Sequence, residues 1–273
     1  MIRFPNAKIN LGLNIVNRRP DGYHDIETVF YPIPLNDILE IVPAKGSVST
    51  LTTSGRPVDC PVEKNLVMKA FRAMELEFAL PPVDIYLHKN IPDGAGLGGG
   101  SSDAANALLI INEMFSLNLS PEQLASRASR LGADCPFFIY NTPMTASGIG
   151  DILSPTTVDL AGKALLLIKP EISVPTALAY SRVTPAPATI SITKILSMPL
   201  SQWKNHLKND FEPSVFAAHP SINDIKQQIY DSGAIYASMS GSGSSVFGIF
   251  ENVNMAENAK NLFPHTNAYV INL

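Results

Sequence analysis

Residues 90–108 read NIPDGAGLGGGSSDAANAL, with glycine at 94, 96, 98, 99 and 100 and serine at 101 and 102. Glycine loses more backbone freedom on folding than any other residue, so such a concentration implies backbone brought close to something. A glycine-rich turn that feeds a helix N-terminus offers free amides and the positive end of the helix dipole, which together form an anion site. Ser101 and Ser102 add hydroxyls for a phosphate or a metal. The competing reading is a close-packed turn that meets only protein. Two familiar fingerprints fit poorly. Gly94, Gly96 and Gly99 satisfy G-x-G-x-x-G, but DIYLHKN before them alternates apolar and polar residues, as an antiparallel strand with one wet face does. No acidic residue ends a second strand ~20 residues on, as dinucleotide binding requires. The other phosphate loop needs a lysine after the glycines, and Ser101 follows Gly100 directly.

Other residues with chemistry in reach are scattered. Asp134, in LGADCPFF (131–138), is either a catalytic carboxylate or the cap of a helix begun by Cys135 and Pro136. Lys8 stands on the polar side of the first long strand, where lysine is ordinarily solvated. Tyr23 and His24 follow the turn RRPDGYH (18–24). A second glycine turn is formed by Gly241, Ser242 and Gly243.

The elements that must position these groups follow from periodicity. AKINLGLNIV (7–16) puts Ile9, Leu11, Leu13 and Ile15 on one face and Lys8, Asn10, Gly12 and Asn14 on the other, a half-buried strand. DIETVFYPI, DILEIVP and VDIYLHKNI read as further strands. Leu66, Val67, Ala70, Phe71 and Met74 are spaced for an amphipathic helix over 64–80. A helix over 102–115 follows the glycine run. Another over 120–132 carries Ser120 as cap, Pro121 at its first position, Gln123 for a capping box and Gly132 as its end. Beyond a change of character near 155, ALLLI (164–168) starts a second set: helices near 201–232, the strand SSVFGIF (244–250), a helix at 255–263 and a last strand AYVINL. This is mixed α+β order without strict βαβ alternation, with domains expected at 1–155 and 156–273.

Composition narrows the class. The 273 residues are 45% hydrophobic and 16% charged with a net charge of −4, which suits a globular protein with a sizeable core and argues against a nucleic-acid partner. No apolar run approaches the ~20 residues that span a bilayer, and Pro5, Lys8 and Asn10 interrupt the N-terminal apolar stretch. Cys60 and Cys135 match no metal-ligand spacing and read as reduced thiols of a cytoplasmic protein.

PDGAGLGGGSSDAA, Pro92 to Ala105, resembles the phosphate-binding motif of the GHMP kinase superfamily, P-x-x-x-G-L-G-S/G-S-S-x-A-A. AKINLGLNIVNRRPDGYHDIETVF, LGADCPFF, NDFE (209–212) and SMSGSGSSVFGIF (238–250) extend the resemblance in order, and it is weakest over 170–205. They are similar to the branch of that superfamily acting on a cytidine diphosphate-linked methylerythritol in non-mevalonate isoprenoid biosynthesis. The resemblance implies a two-domain α+β GHMP fold with the active site in the interdomain cleft. It implies ATP as phosphoryl donor to a substrate 2-hydroxyl, Asp134 as base, and Lys8 beside it. Pro92, Asp93, Gly94, Ala95, Gly96, Leu97, Gly98, Gly99, Gly100, Ser101 and Ser102 would hold the ATP phosphates. Asn65, Leu66 and Lys89 resemble adenine-pocket positions, each also readable as a cap, a core residue and a surface charge in turn. Tyr23 would stack on cytosine, His24 would bond its edge, and Tyr180 would close the other face. Asn10 and the 241–243 turn would contact substrate. Phosphoryl transfer normally uses Mg2+; Ser102 is its candidate ligand, and no carboxylate partner is assigned. The rival readings are a GHMP kinase for another small alcohol, such as mevalonate or homoserine, and a nucleotide-binding relative without turnover.

Overall fold

The computed structural model describes residues 1–58, 60–181 and 183–273. In chain order the elements are β1 (Ile2–Arg3), β2 (Asn6–Arg18), β3 (His24–Asn36), β4 (Ile38–Pro43), β5 (Thr50–Gly55), α1 (Leu66–Phe78), β6 (Val83–Lys89), α2 (Gly99–Met114), α3 (Pro121–Ala128), α4 (Cys135–Tyr140), β7 (Met144–Ser147), β8 (Ile152–Pro155) and β9 (Ala164–Lys169). They continue with α5 (Thr176–Ser181), α6 (Ile192–Leu196), α7 (Leu200–His206), α8 (Glu212–Ala218), α9 (Pro220–Asp231), β10 (Tyr236–Met239), β11 (Val246–Phe250), α10 (Val253–Lys260) and β12 (Asn267–Asn272). Contacts divide the chain into two units that interleave in sequence. One holds 1–7, 35–93 and 98–142; the other holds 8–34, 94–97 and 143–273. The expected cut at 155/156 therefore does not coincide with this division. Most of β2 and β3 joins the second unit because β7 and β8 complete their sheet.

In the first unit the sheet order is β1-β4-β6-β5, with β5 parallel to β6 and the other pairs antiparallel. Along β6, Val83, Ile85 and Leu87 are buried while Tyr86 and His88 face water, the alternation its sequence predicts. The apolar stripe of α1 and one side of α2 cover the buried face: Phe71, Met74, Ala104, Ala107, Leu108 and Ile111 share one core with Ile41 and Ile85. Helix α2 starts at Gly99, three residues before its expected start, because Gly98 in the left-handed region turns the chain into it. The expected capping box is present on α3: Ser120 Oγ accepts from the Gln123 amide at 3.3 Å, and Gln123 Oε1 accepts from the Ser120 amide at 2.8 Å. That helix ends at Ala128, not at Gly132. Arg130 and Leu131 bond three residues back instead, to Arg127 and Ala128, so the chain tightens before the glycine.

The second unit contains two antiparallel sheets, β2-β3-β7-β8 and β10-β11-β9-β12, with β9 inside the latter. Leu166, Ile168, Met239, Val246 and Phe250 pack there with Ile222 and Ile229 of α9 and with Ala256 and Ala259 of α10. The half-buried reading of β2 is corrected: Lys8, Asn10 and Asn14 are as dry as the apolar residues between them. Among the described residues no helix is long and apolar enough to cross a membrane, and both cysteines are free thiols.

Phe71 is fully buried where α1 meets the sheet. Phe71→Ala should lower unfolding free energy by about 3–5 kcal/mol, read as a shift in the urea midpoint at unchanged slope.

Candidate active site

In the second unit the glycine loop meets the second glycine turn. Gly96 sits at φ +73, and a Cβ there would lie 2.0 Å from the Ser240 carbonyl oxygen. Only glycine fits, on both grounds. The Gly96 carbonyl accepts from Ser240 Oγ at 2.9 Å and from Lys8 Nζ at 3.2 Å. The Lys8 amide donates to the Leu97 carbonyl at 2.9 Å, and Ala95 and Leu97 are buried on either side. At Gly96, then, the close-packed reading of the loop holds. Gly100 differs: the nearest atom to a Cβ there is Leu66 Cδ1 at 3.8 Å, and the residue is exposed.

Lys8 is not a solvated strand-edge charge. It is 4% exposed, its ammonium lies 2.7 Å from Asn10 Oδ1, and it stands 4.9 Å from the centre of the Phe30 ring. Asn10 Nδ2 in turn donates to Thr28 Oγ1 at 3.0 Å, and Thr28 donates to the Gly12 carbonyl at 2.5 Å.

The second glycine turn is held from beneath by the NDFE segment. Asn209 Nδ2 donates to the carbonyls of Met239 and Gly241, both at 2.8 Å. Asp210 Oδ2 accepts from the Ile15 amide at 2.8 Å, which ties the segment to β2. Phe211 presents its edge-on ring to Tyr180 at 4.7 Å. Glu212 accepts from the Met239 amide at 2.9 Å and pairs with Lys226 at 2.6 Å. Ser242 in the turn reaches Thr176 of α5 at 3.3 Å. The same helix carries Tyr180, whose ring stacks on His24 with centroids 4.7 Å apart. The structure thus brings Tyr180, from the most divergent segment, to the histidine after the 18–24 turn. Tyr23 itself is 62% exposed; its amide donates to Asp21 Oδ1 and its carbonyl accepts from Arg19 N, at 3.0 and 2.8 Å.

In the first unit, α2 begins with the amides of Gly99, Gly100 and Ser101 directed out of its N-terminal turn, since the first intrahelical bond runs from Ser102 N to Gly98 O at 2.9 Å. Gly98 supplies no side chain to cap them. Pro92 is buried while Asp93 and Gly94 are exposed. Ser102 Oγ is buried with no hydrogen-bond partner. Asp134 occupies the N-cap position of α4 but makes no side-chain cap bond, so capping does not account for its carboxylate. Burial pushes the neighbouring Cys135 thiol up to about 11 against a lowering effect of Ser101, which keeps it a neutral thiol at physiological pH. Asn65 is a cap as well as a candidate: its Oδ1 accepts from the Val67 amide at 2.9 Å. Leu66 is partly buried against the core.

Lys89 is corrected. It is neither a surface charge nor an open contact, at 6% exposure. It pairs with Asp37 and, at 2.6 Å, with Asp103 on α2. Asp37 Oδ1 also accepts from the amides of Asn90 and Ile91, at 2.6 and 2.8 Å, where β6 runs out toward the glycine loop. Burial disfavours the Lys89 charge, but Asp103 and Asp37 outweigh it and raise its pKa. Burial, opposed by Lys89 and reinforced by Asp37, lifts Asp103 to about 7. Asp103 Oδ1 is left without a partner. Sequence reading missed Asp37, Thr28 and Ser240. Asp103 alone had a signal, as a carboxylate inside the serine end of the loop motif.

Among the described residues no group of three or more His, Cys, Asp or Glu is placed to hold a metal ion.

Two family models match the chain: the GHMP kinases N terminal domain over residues 65–142 and the GHMP kinases C terminal domain over 195–264. A Parabacteroides distasonis protein named 4-diphosphocytidyl-2-C-methyl-D-erythritol kinase is 55% identical over 251 residues, 92% of each chain. A Bacteroides fragilis protein of the same name is 56% identical over 252 residues, again 92% of each. A crystal structure of 4-(cytidine 5'-diphospho)-2C-methyl-D-erythritol kinase superposes with a TM-score of 0.85 at 33% identity, covering 99% of this chain and 98% of that one.

Two predictions follow from the geometry. Gly96→Ala should destabilise by on the order of 3 kcal/mol or prevent folding, whereas Gly100→Ala should stabilise by about 0.5–1 kcal/mol as a helix substitution; urea unfolding of both variants checks the contrast. For Asp103, the native state holds a proton up to about 7 that the unfolded chain releases near 3.8. Between those values the native state binds more protons, so stability should fall as pH rises through this window. Asp103→Asn should flatten that fall, measured by unfolding midpoints across the same range.

Proposed function

We infer the chemistry from one premise: this chain belongs to the GHMP kinases, and within them to the 4-diphosphocytidyl-2-C-methyl-D-erythritol kinases. It transfers the γ-phosphoryl group of ATP to the 2-hydroxyl of 4-diphosphocytidyl-2-C-methyl-D-erythritol, a step of non-mevalonate isoprenoid precursor biosynthesis. The observation that carries this conclusion is the 55–56% identity extending over 92% of the chain.

The residue roles are our assignment. Phosphoryl transfer asks the protein for positioning and for neutralisation of charge on the transferring group. Bare amides at the head of α2, with the helix dipole behind them, suit the ATP phosphates, and the exposed backbone at Gly94 and Gly100 is where approach is unobstructed. The Ser102 hydroxyl, buried in the first turn of the same helix and without a partner, is a donor left over for them. Asn65, Leu66 and the surface at the start of α1 serve the adenine side. Lys89 acts indirectly, by holding β6 and α2 in register. Asp134 takes the proton of the attacking hydroxyl. Its carboxylate is not spent on helix capping, which supports this role. Lys8 supplies positive charge to the transition state, and its lack of exposure strengthens that charge's effect. Mg2+, where present, would be carried in by the triphosphate itself, in keeping with its habit of keeping few protein ligands; no protein cage for it stands among the described residues.

For the nucleotide end of the substrate, Tyr23 and Tyr180 offer aromatic faces, and stacking contributes about 1–3 kcal/mol per base. His24 stacks on Tyr180, so the two residues assigned to the base stand together. Gly241 and Ser242 contribute amides toward the substrate diphosphate, while the Gly243 amide closes the turn on the Ser240 carbonyl at 3.0 Å.

ADP release measured with and without the cytidylated substrate tests the function, and loss of activity on adding cytidine nucleotides tests the cytosine pocket; a kinase for another small alcohol would show no such competition. Asp134→Asn should bind ATP normally and lose about 10²–10⁴ in turnover. Near-normal turnover in that variant removes Asp134 from the mechanism.

A further inference from the structure

A residue on β3 reaches Lys8 through Asn10. Thr28 is fully buried, opposite Ala146 of β7 in the sheet register, and no chemical role follows from its type alone. Its hydroxyl has one proton. That proton goes to the Gly12 carbonyl at 2.5 Å, a carbonyl presented by a residue at φ +71 in the middle of β2. With its proton committed, Thr28 Oγ1 has only lone pairs left to offer. The group that meets them is Asn10 Nδ2 at 3.0 Å. The amide of Asn10 therefore has its nitrogen toward Thr28 and its oxygen toward Lys8 Nζ, 2.7 Å away. The reverse orientation would set two donors against each other at Lys8 and two acceptors against each other at Thr28. Asn10 is 2% exposed, so water does not rescue a mismatched amide.

We propose that Thr28 is a positioning residue: through Asn10 it fixes where the Lys8 ammonium sits against the Gly96 carbonyl and hence where its charge falls on the transferring phosphoryl group. This deepens the kinase reading above and rests on it. The chain of bonds is directional from the Gly12 carbonyl to the ammonium, and each member is buried, so each bond is stronger than in water and its loss harder to repair. Without the hydroxyl, the terminal torsion of Asn10 is free between two roughly equivalent orientations. A displacement of the ammonium by about 1 Å costs on the order of 10²-fold in a positioned reaction.

The test is a cycle on the full chain with ATP and the cytidylated substrate. Activity of the unsubstituted protein is established first; its absence overturns the kinase reading and leaves the Thr28 series unneeded. Given that activity, Thr28→Val, close in shape but without the hydroxyl, should lower kcat by about tenfold to a hundredfold with KM for ATP changed less than twofold. Thr28→Ser, which restores the donor and acceptor, should recover most of the loss. In an Asn10→Ala background, Thr28→Val should have no further effect on kcat, because the relay is already cut. Urea unfolding of each variant accompanies the kinetics, and Thr28→Ala replaces Thr28→Val in the same cycle if the valine variant does not fold. Additive losses in the Asn10→Ala background, or a Thr28→Ser variant as slow as Thr28→Val, overturn the proposal while leaving the kinase activity intact.

Discussion

A single carbonyl, that of Gly96, receives hydrogen bonds from the Lys8 ammonium and the Ser240 hydroxyl, and much of the second unit's site is arranged around it. The approach requires residue 96 to lack a side chain, since the Ser240 backbone occupies the space a Cβ would fill. It also requires the 240–243 turn to be held still. Asn209 does this by bonding the carbonyls on both sides of Ser240, and Glu212 grips the Met239 amide before it. Four consecutive residues of the NDFE segment thus act together: one clamps the turn, one ties the segment to β2, one packs against Tyr180, and one secures β10.

The glycines of the loop divide by what they meet. Gly96 is bare because protein lies against it, while Gly100 has open space around it. A cluster that looks uniform in sequence serves two purposes: close packing at one position and an unobstructed helix head at another. The close-packed reading of the loop therefore holds at Gly96, while the helix head at Gly100 is left unobstructed.

In the first unit the head of α2 rests on a buried ion cluster of two carboxylates and one lysine. Asp37 meets the chain where β6 ends, Asp103 lies one turn into α2, and Lys89 joins them. Burying charge is expensive, and an apolar replacement often does as well for stability alone. What the cluster adds is direction: three groups with fixed partners set the exit of a strand against the start of a helix. The raised pKa of Asp103 is the trace of that arrangement, an excess carboxylate held in a dry place.

The sequence by itself determined the features that local physics controls. The alternation of β6, the stripe of α1, the capping box of α3 and the turn at 18–24 are set by residues within a few positions of one another, and the loop motif carried the family with it. Tertiary structure decided what depends on distant cover. Lys8, Asn10 and Asn14 look like a wet strand face until the rest of the second unit buries them. Lys89 looks like a surface charge until Asp37, 52 residues earlier, is brought to it. Thr28 has no distinguishing mark until Gly12 and Asn10 fix its proton. The end of α3 and the division into interleaved units fall in the same class. Periodicity states which residues share a face, but whether that face is dry, and which atom meets which, is settled only when segments far apart in the chain close over it.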